Sequence, residues 1–188
     1  SFRYSAAIEA LIEKHANEGS DSMWSVWRER QVNRNAYGGN YSFVLGRTAD
    51  KDKPFYLNFE SAFEGFAAHA PYTLVTGMTG SGKSSFLRNL ILDIAITNTP
   101  DLAAIKVFDP NGGWAFESLK GLHRMRVETN IETAKSYLEG ITKSIEAHKQ
   151  LFETLGVKTL EECNKVLGLK KRLLRTFVII DEVAGWVD

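Results

Sequence analysis

Gly77-Met78-Thr79-Gly80-Ser81-Gly82-Lys83-Ser84 decides the reading of this chain, because these eight residues satisfy the pattern G-x-x-x-x-G-K-[ST]. Immediately upstream, Tyr72 to Thr76 reads Tyr-Thr-Leu-Val-Thr and predicts a short strand running into the glycines. Downstream, Phe86, Leu87, Leu90, Ile91 and Ile94 recur at helical spacing and predict a helix over 83–96. Strand, glycine-rich loop and helix, in that order, is the setting a phosphate-cradling loop requires. The glycines let the backbone wrap so that successive N–H groups point at phosphate oxygens, and the helix N-terminus adds partial positive charge. Lys83 supplies a full charge for the β- and γ-phosphates, and Ser84 a hydroxyl able to ligate magnesium. Gly77, Met78, Thr79, Gly80, Ser81, Gly82, Lys83, Ser84 and Ser85 are therefore the candidate nucleotide-binding residues, with ATP and Mg2+ as the expected ligands.

A second stretch complements the first. Phe177-Val178-Ile179-Ile180-Asp181-Glu182 is an apolar run, predicted to be a strand buried on both faces, that ends in two carboxylates. Asp181 is the candidate magnesium ligand, and Glu182 the candidate general base or water-orienting group. An apolar strand ending in two acids is common on its own; the loop upstream gives this one its meaning. Between the two stretches, Ala103 to Phe108 predicts a strand ending in the breaker run Asp109-Pro110-Asn111-Gly112-Gly113, and 123–127 a third strand. Thr129 and Glu132 have capping-box spacing ahead of a long helical face, Ala134, Tyr137, Leu138, Ile141, Ile145, His148, Phe152 and Leu155, which Gly156 closes. Thr159 and Glu162 repeat the capping pattern before a shorter helix. Strands over 41–47 and 55–59 predict a hairpin, and helical spacings before it predict a helical N-terminal appendage over 1–40, leaving 41–188 as the main domain. Alternating strands and helices give an α/β fold with a mostly parallel, helix-covered sheet.

Composition narrows the classes. The 23 basic residues balance the 23 acidic ones, so whole-chain charge gives no argument for a nucleic-acid or membrane surface. No apolar run approaches the ~20 residues of a membrane span. The single Cys163 excludes an intrachain disulfide and fits a reducing compartment, so a cytoplasmic location is expected. Scattered histidines and one cysteine give no local zinc spacing. The cluster Lys170, Lys171, Arg172 and Arg175 reads as a solvated connector or a phosphate-backbone contact. Trp24 and Trp27 read as packing for the appendage or a stacking surface. Asp109 either contacts the site or caps the turn made with Pro110.

Taken together, these pieces resemble the motor domain of the FtsK/SpoIIIE family of hexameric DNA translocases, within the wider HerA/FtsK-like group that includes secretion-system coupling ATPases. The resemblance runs through Leu45-Gly46-Arg47, Phe55-Tyr56-Leu57, the glycine-rich loop to Ser85, Val107-Phe108-Asp109-Pro110, Leu155-Gly156-Val157-Lys158-Thr159-Leu160 and Asp181-Glu182-Val183-Ala184. It implies a RecA-like P-loop NTPase fold, a homo-oligomeric ring that is a hexamer in the intact protein, and ATP hydrolysis coupled to movement of a polymer. Double-stranded DNA is the first expectation for that polymer. The alternatives are an ATPase of a type IV or type VII secretion or conjugation system moving protein or nucleoprotein, and a nucleotide-dependent docking module with negligible turnover. The resemblance also implies that 41–188 is the N-terminal portion of the motor fold, without the sensor, arginine finger and pore loops, and weakly active alone. The intact protein would be cytoplasmic or anchored at the inner face of a membrane through other regions.

Overall fold

Phe43 and Leu57 are apolar residues of two β-rich runs, and burying both closes a hairpin in which β1 (Ser42–Arg47) lies antiparallel to β2 (Pro54–Asn58), Phe43 opposite Leu57. The computed structural model describes residues 10, 14, 40–47, 54–60, 68–119, 121–122 and 125–186. The predicted helical appendage lies outside the described residues apart from Ala10, Lys14 and Asn40. The chain divides into two compact units, Ser1–Thr99 and Pro100–Asp188.

In the first unit, α1 (Lys83–Thr97) packs on β1, burying Ile91, Ile94, Ala95 and Ile96. Buried polar ties fix the contact. Asp93 is only 5% exposed, and its Oδ2 accepts a hydrogen bond from the Val44 N–H at 2.7 Å, beside an irregularity in the hairpin register between Val44 and Gly46. Asn98 Nδ2 donates to Asn40 O and to Ile94 O, both at 2.9 Å. Beyond β2, Asn58 and His69 exchange bonds: Asn58 N–H to His69 Nδ1 at 3.0 Å, and His69 N–H to Asn58 O at 2.7 Å. The strand expected over Tyr72 to Thr76 is not formed: among the described residues no strand pairs with it, and Tyr72 and Leu74 are each 81% exposed. A strand is stabilised by its neighbours, and the two strands described in this unit pair only with each other.

In the second unit, β3 (Ala103–Phe108) is central, with β4 (Met125–Glu128) on one side and β5 (Arg175–Ile180) on the other, both parallel to it. This is the expected α/β architecture with a parallel sheet. Ala103, Ala104, Ile105, Val107 and Phe108 are all buried. β5 departs from the expectation of a doubly buried strand: only Ile179 is buried and Ile180 is 40% exposed, because β5 is an edge of the three-stranded sheet and β3 occupies its centre. The link from β3 to β4 contains a 3-10 turn, Trp114–Leu119, anchored by buried Phe116 and Leu119.

The β4–β5 connection holds α2 (Ile131–Leu155) and α3 (Leu160–Leu167). The α2 cap falls one residue later than the Thr129/Glu132 spacing predicts: Asn130 Oδ1 accepts from the Thr133 N–H at 2.9 Å, because Asn is at least as good a cap as Thr and continues the chain directly into the helix. Gly156, at φ 65°, ends α2 as expected, since a left-handed residue there suits glycine. Thr159 caps α3 as predicted, its Oγ1 accepting from the Glu162 N–H at 3.1 Å.

Replacing Asp93 with Ala leaves the Val44 N–H without its acceptor; the expected cost is about 1–3 kcal/mol in urea unfolding, with Asp93→Asn costing less. Burial raises the Tyr137 phenol above its usual 10.0, with Arg126 opposing the shift. A raised folded-state value means stability that is complete below pH 10.0 and is lost as pH rises through the folded pKa. Alkaline melting curves of Tyr137→Phe are expected to lack that component.

Candidate functional site

The glycine-rich segment folds as its composition requires. Gly80 (φ 80°) and Gly82 (φ 92°) adopt left-handed backbone that side chains disfavour. At Gly77 an added Cβ would stand 2.5 Å from Ser81 Oγ, so the chain wraps tightly there. The Ser81 N–H donates to Met78 O at 3.1 Å and closes the turn. Gly82 is the N-cap of α1 and offers no side-chain cap, and the first turn holds no acidic residue, so the helix presents its positive end without internal competition.

Lys83 reaches back over the loop: its Nζ donates to Gly77 O at 2.8 Å and Met78 O at 3.1 Å. Met78, Thr79, Gly80, Ser81 and Gly82 are exposed and Ser84 is half-buried in the first helical turn. The Ser85 hydroxyl accepts from Arg88 Nη2 at 3.0 Å, a contact absent from the sequence reading, although i,i+3 spacing carries it. A wrapped backbone, exposed loop residues, one ammonium at the mouth and a hydroxyl behind it fit a polyphosphate with its magnesium ion.

The acidic candidates stand at the end of β5 in the second unit. The Asp181 N–H donates to Phe108 O at 2.9 Å, continuing the β3–β5 ladder. Asp181 Oδ1 accepts from the Glu182 N–H at 3.0 Å. Glu182 is exposed and has a positive φ, 48°. Trp186, in the 3-10 turn Val183–Trp186, donates its indole N–H to Asp181 O at 3.1 Å. Nothing in local spacing announced that residue's part.

Asp109 is 2% exposed and its Oδ1 accepts from the Asn111 N–H at 2.9 Å, the turn-capping arrangement of its two readings. Of the basic cluster, Arg175 pairs with Glu161 at 2.7 Å and Arg172 stands 3.9 Å from Asp101, while Lys170 and Lys171 are exposed. Trp24 and Trp27 lie outside the described residues. Among the described residues no helix is long and apolar enough to cross a membrane.

Comparison with known proteins shows the family and the fold. The ESX secretion system protein YukB of Bacillus subtilis (strain 168) is 32% identical over 142 residues, covering 71% of this chain and 9% of YukB, so the chain spans under a tenth of that relative. The structure of the pCW3 conjugation coupling protein TcpA, in its monomer form with ATPγS, matches with a TM-score of 0.64 and 24% identity, over 81% of this chain and 38% of TcpA. The cytoplasmic domain of the Thermomonospora curvata type VII secretion ATPase EccC matches with a TM-score of 0.59 and 24% identity, over 77% of this chain and 18% of that one. These two likenesses are likenesses of fold. The FtsK/SpoIIIE family model matches residues 39–183. Because that match runs from the hairpin to the residue after Glu182, and so takes in the glycine-rich loop and both carboxylates, the chain belongs to the FtsK/SpoIIIE family.

Proposed function

We propose that residues 41–188 are the nucleotide-binding portion of an ATP-hydrolysing motor domain that drives polypeptide through a secretion system. The observation that carries the nucleotide reading is the Lys83 ammonium held over the carbonyls of Gly77 and Met78, at the mouth of a loop shaped by left-handed glycines. In this reading the loop amides from Met78 to Lys83 and the Lys83 ammonium bind the β- and γ-phosphates of ATP. Ser84 and Asp181 would hold the magnesium ion, and Gly77 and Ser85 complete the nucleotide-binding residues. Bound magnesium neutralises charge on the phosphate oxygens. Glu182 orients the attacking water and takes its proton at the carboxylate.

The family resemblance alone put double-stranded DNA first as the moved polymer. YukB, a secretion-system protein at 32% identity, favours the secretion alternative. Ring assembly, as a hexamer, belongs to the same proposal for the intact protein.

Lys83→Ala is expected to weaken binding of a fluorescent ATP analogue and to lower turnover by about 10²-fold or more. Glu182→Gln is expected to keep the analogue's affinity while losing about 10²–10⁴-fold in turnover. Gly82→Ala, forced into a left-handed conformation, is expected to cost about 1–2 kcal/mol in stability. Turnover should rise with a secretion-substrate polypeptide and be indifferent to double-stranded DNA. Stimulation by DNA would restore the DNA reading, and analogue binding with no turnover would leave a nucleotide-dependent docking module.

A further inference from the structure

Glu182 is the one non-glycine with positive φ among the described residues. A left-handed backbone crowds Cβ against the carbonyl, so an L-residue holds it only when its surroundings enforce it. The enforcing contacts lie on both sides of one peptide plane. The Asp181 carbonyl and the Glu182 N–H belong to the same rigid unit. Its carbonyl oxygen accepts from Trp186 Nε1 at 3.1 Å, and its N–H donates to Asp181 Oδ1 at 3.0 Å. The plane is thus clamped at both ends.

Trp186 is itself fixed. Its ring meets Phe108 edge-on, with centroids 6.1 Å apart and planes at 80°, and Phe108 is 2% exposed on the central strand. Between the clamp and that anchor the chain makes one tight turn, closed by the Gly185 N–H donating to Glu182 O at 2.9 Å. Gly185 sits so close to Pro110 that an added Cβ would stand 2.8 Å from the proline Cγ. The turn therefore rests on the β3 end, beside the segment that carries Asp109.

We infer that Trp186 is a positioning residue for Glu182: by clamping the Asp181–Glu182 peptide and anchoring on Phe108, it holds the Glu182 backbone left-handed and so sets where the carboxylate is presented. The inference rests on the proposed role of Glu182 in hydrolysis. It makes Trp186 a residue that acts through another, without touching nucleotide.

The test uses two readouts on the full chain. In melting experiments, Glu182→Gly relieves the crowding and is expected to raise the melting temperature by about 2–4 °C. Combined with Trp186→Ala, which frees the turn, the same change is expected to bring no gain. An equal gain in both backgrounds would overturn the clamp. In steady-state kinetics, Trp186→Phe keeps an aromatic ring against Phe108 but lacks the N–H. It is expected to lower kcat on the order of 10-fold to 10²-fold with KM and analogue affinity unchanged, and to add nothing to Glu182→Gln. An equal further loss in Glu182→Gln would overturn positioning through Glu182. Full turnover in Glu182→Gln alongside the expected melting pattern would overturn the hydrolytic role of Glu182 and leave the clamp standing.

Discussion

The parallel ladder between β3 and β5, from Ala103 opposite Arg175 to Phe108 opposite Ile180, is the constraint on which the second unit depends. Side chains alternate along a strand, so a slip of one residue would turn every β5 side chain to the other face. The ladder runs one bond past the strand, to the Asp181 N–H on Phe108 O, and so delivers the first carboxylate at a fixed height above the central strand. Phe108 then serves the end of β5 twice. Its carbonyl holds Asp181, and its ring receives Tyr137 at 5.9 Å and Trp186 at 6.1 Å.

In the first unit a single helix serves both ends. The N-terminus of α1 carries the glycine-rich loop, while its C-terminal half is tied to the hairpin through Asp93, and its C-cap Asn98 to Asn40 just ahead of β1. Hydrogen bonds made by buried side chains specify one arrangement more strictly than apolar contact does, because any displacement strands a donor or acceptor away from water. The position of the loop is thereby coupled to the packing of β1 on the far end of α1.

Much of this was legible where the signal is local. The bounds of β3, the stop at Gly156, the cap at Thr159 and the glycine-rich loop are each written within a few residues, and each stands where it was read. What escaped depends on distant partners. Tyr72 to Thr76 has strand composition, but pairing is a property of neighbours, which no local pattern contains. Asp93 looks like the polar face of an amphipathic helix until the Val44 N–H is seen opposite it. The edge position of β5, the left-handed backbone at Glu182 and the part played by Trp186 follow from how the strands and the turn pack.

The contact between Gly185 and Pro110 carries a consequence for how this protein can change over generations. The two positions lie 75 apart in sequence, yet a side chain at 185 has no room while Pro110 stands, since an added Cβ would meet the proline Cγ at 2.8 Å. A change that enlarges position 185 has to displace the proline at 110 or open the turn, so what the turn after the acidic pair tolerates is set by the loop after the central strand.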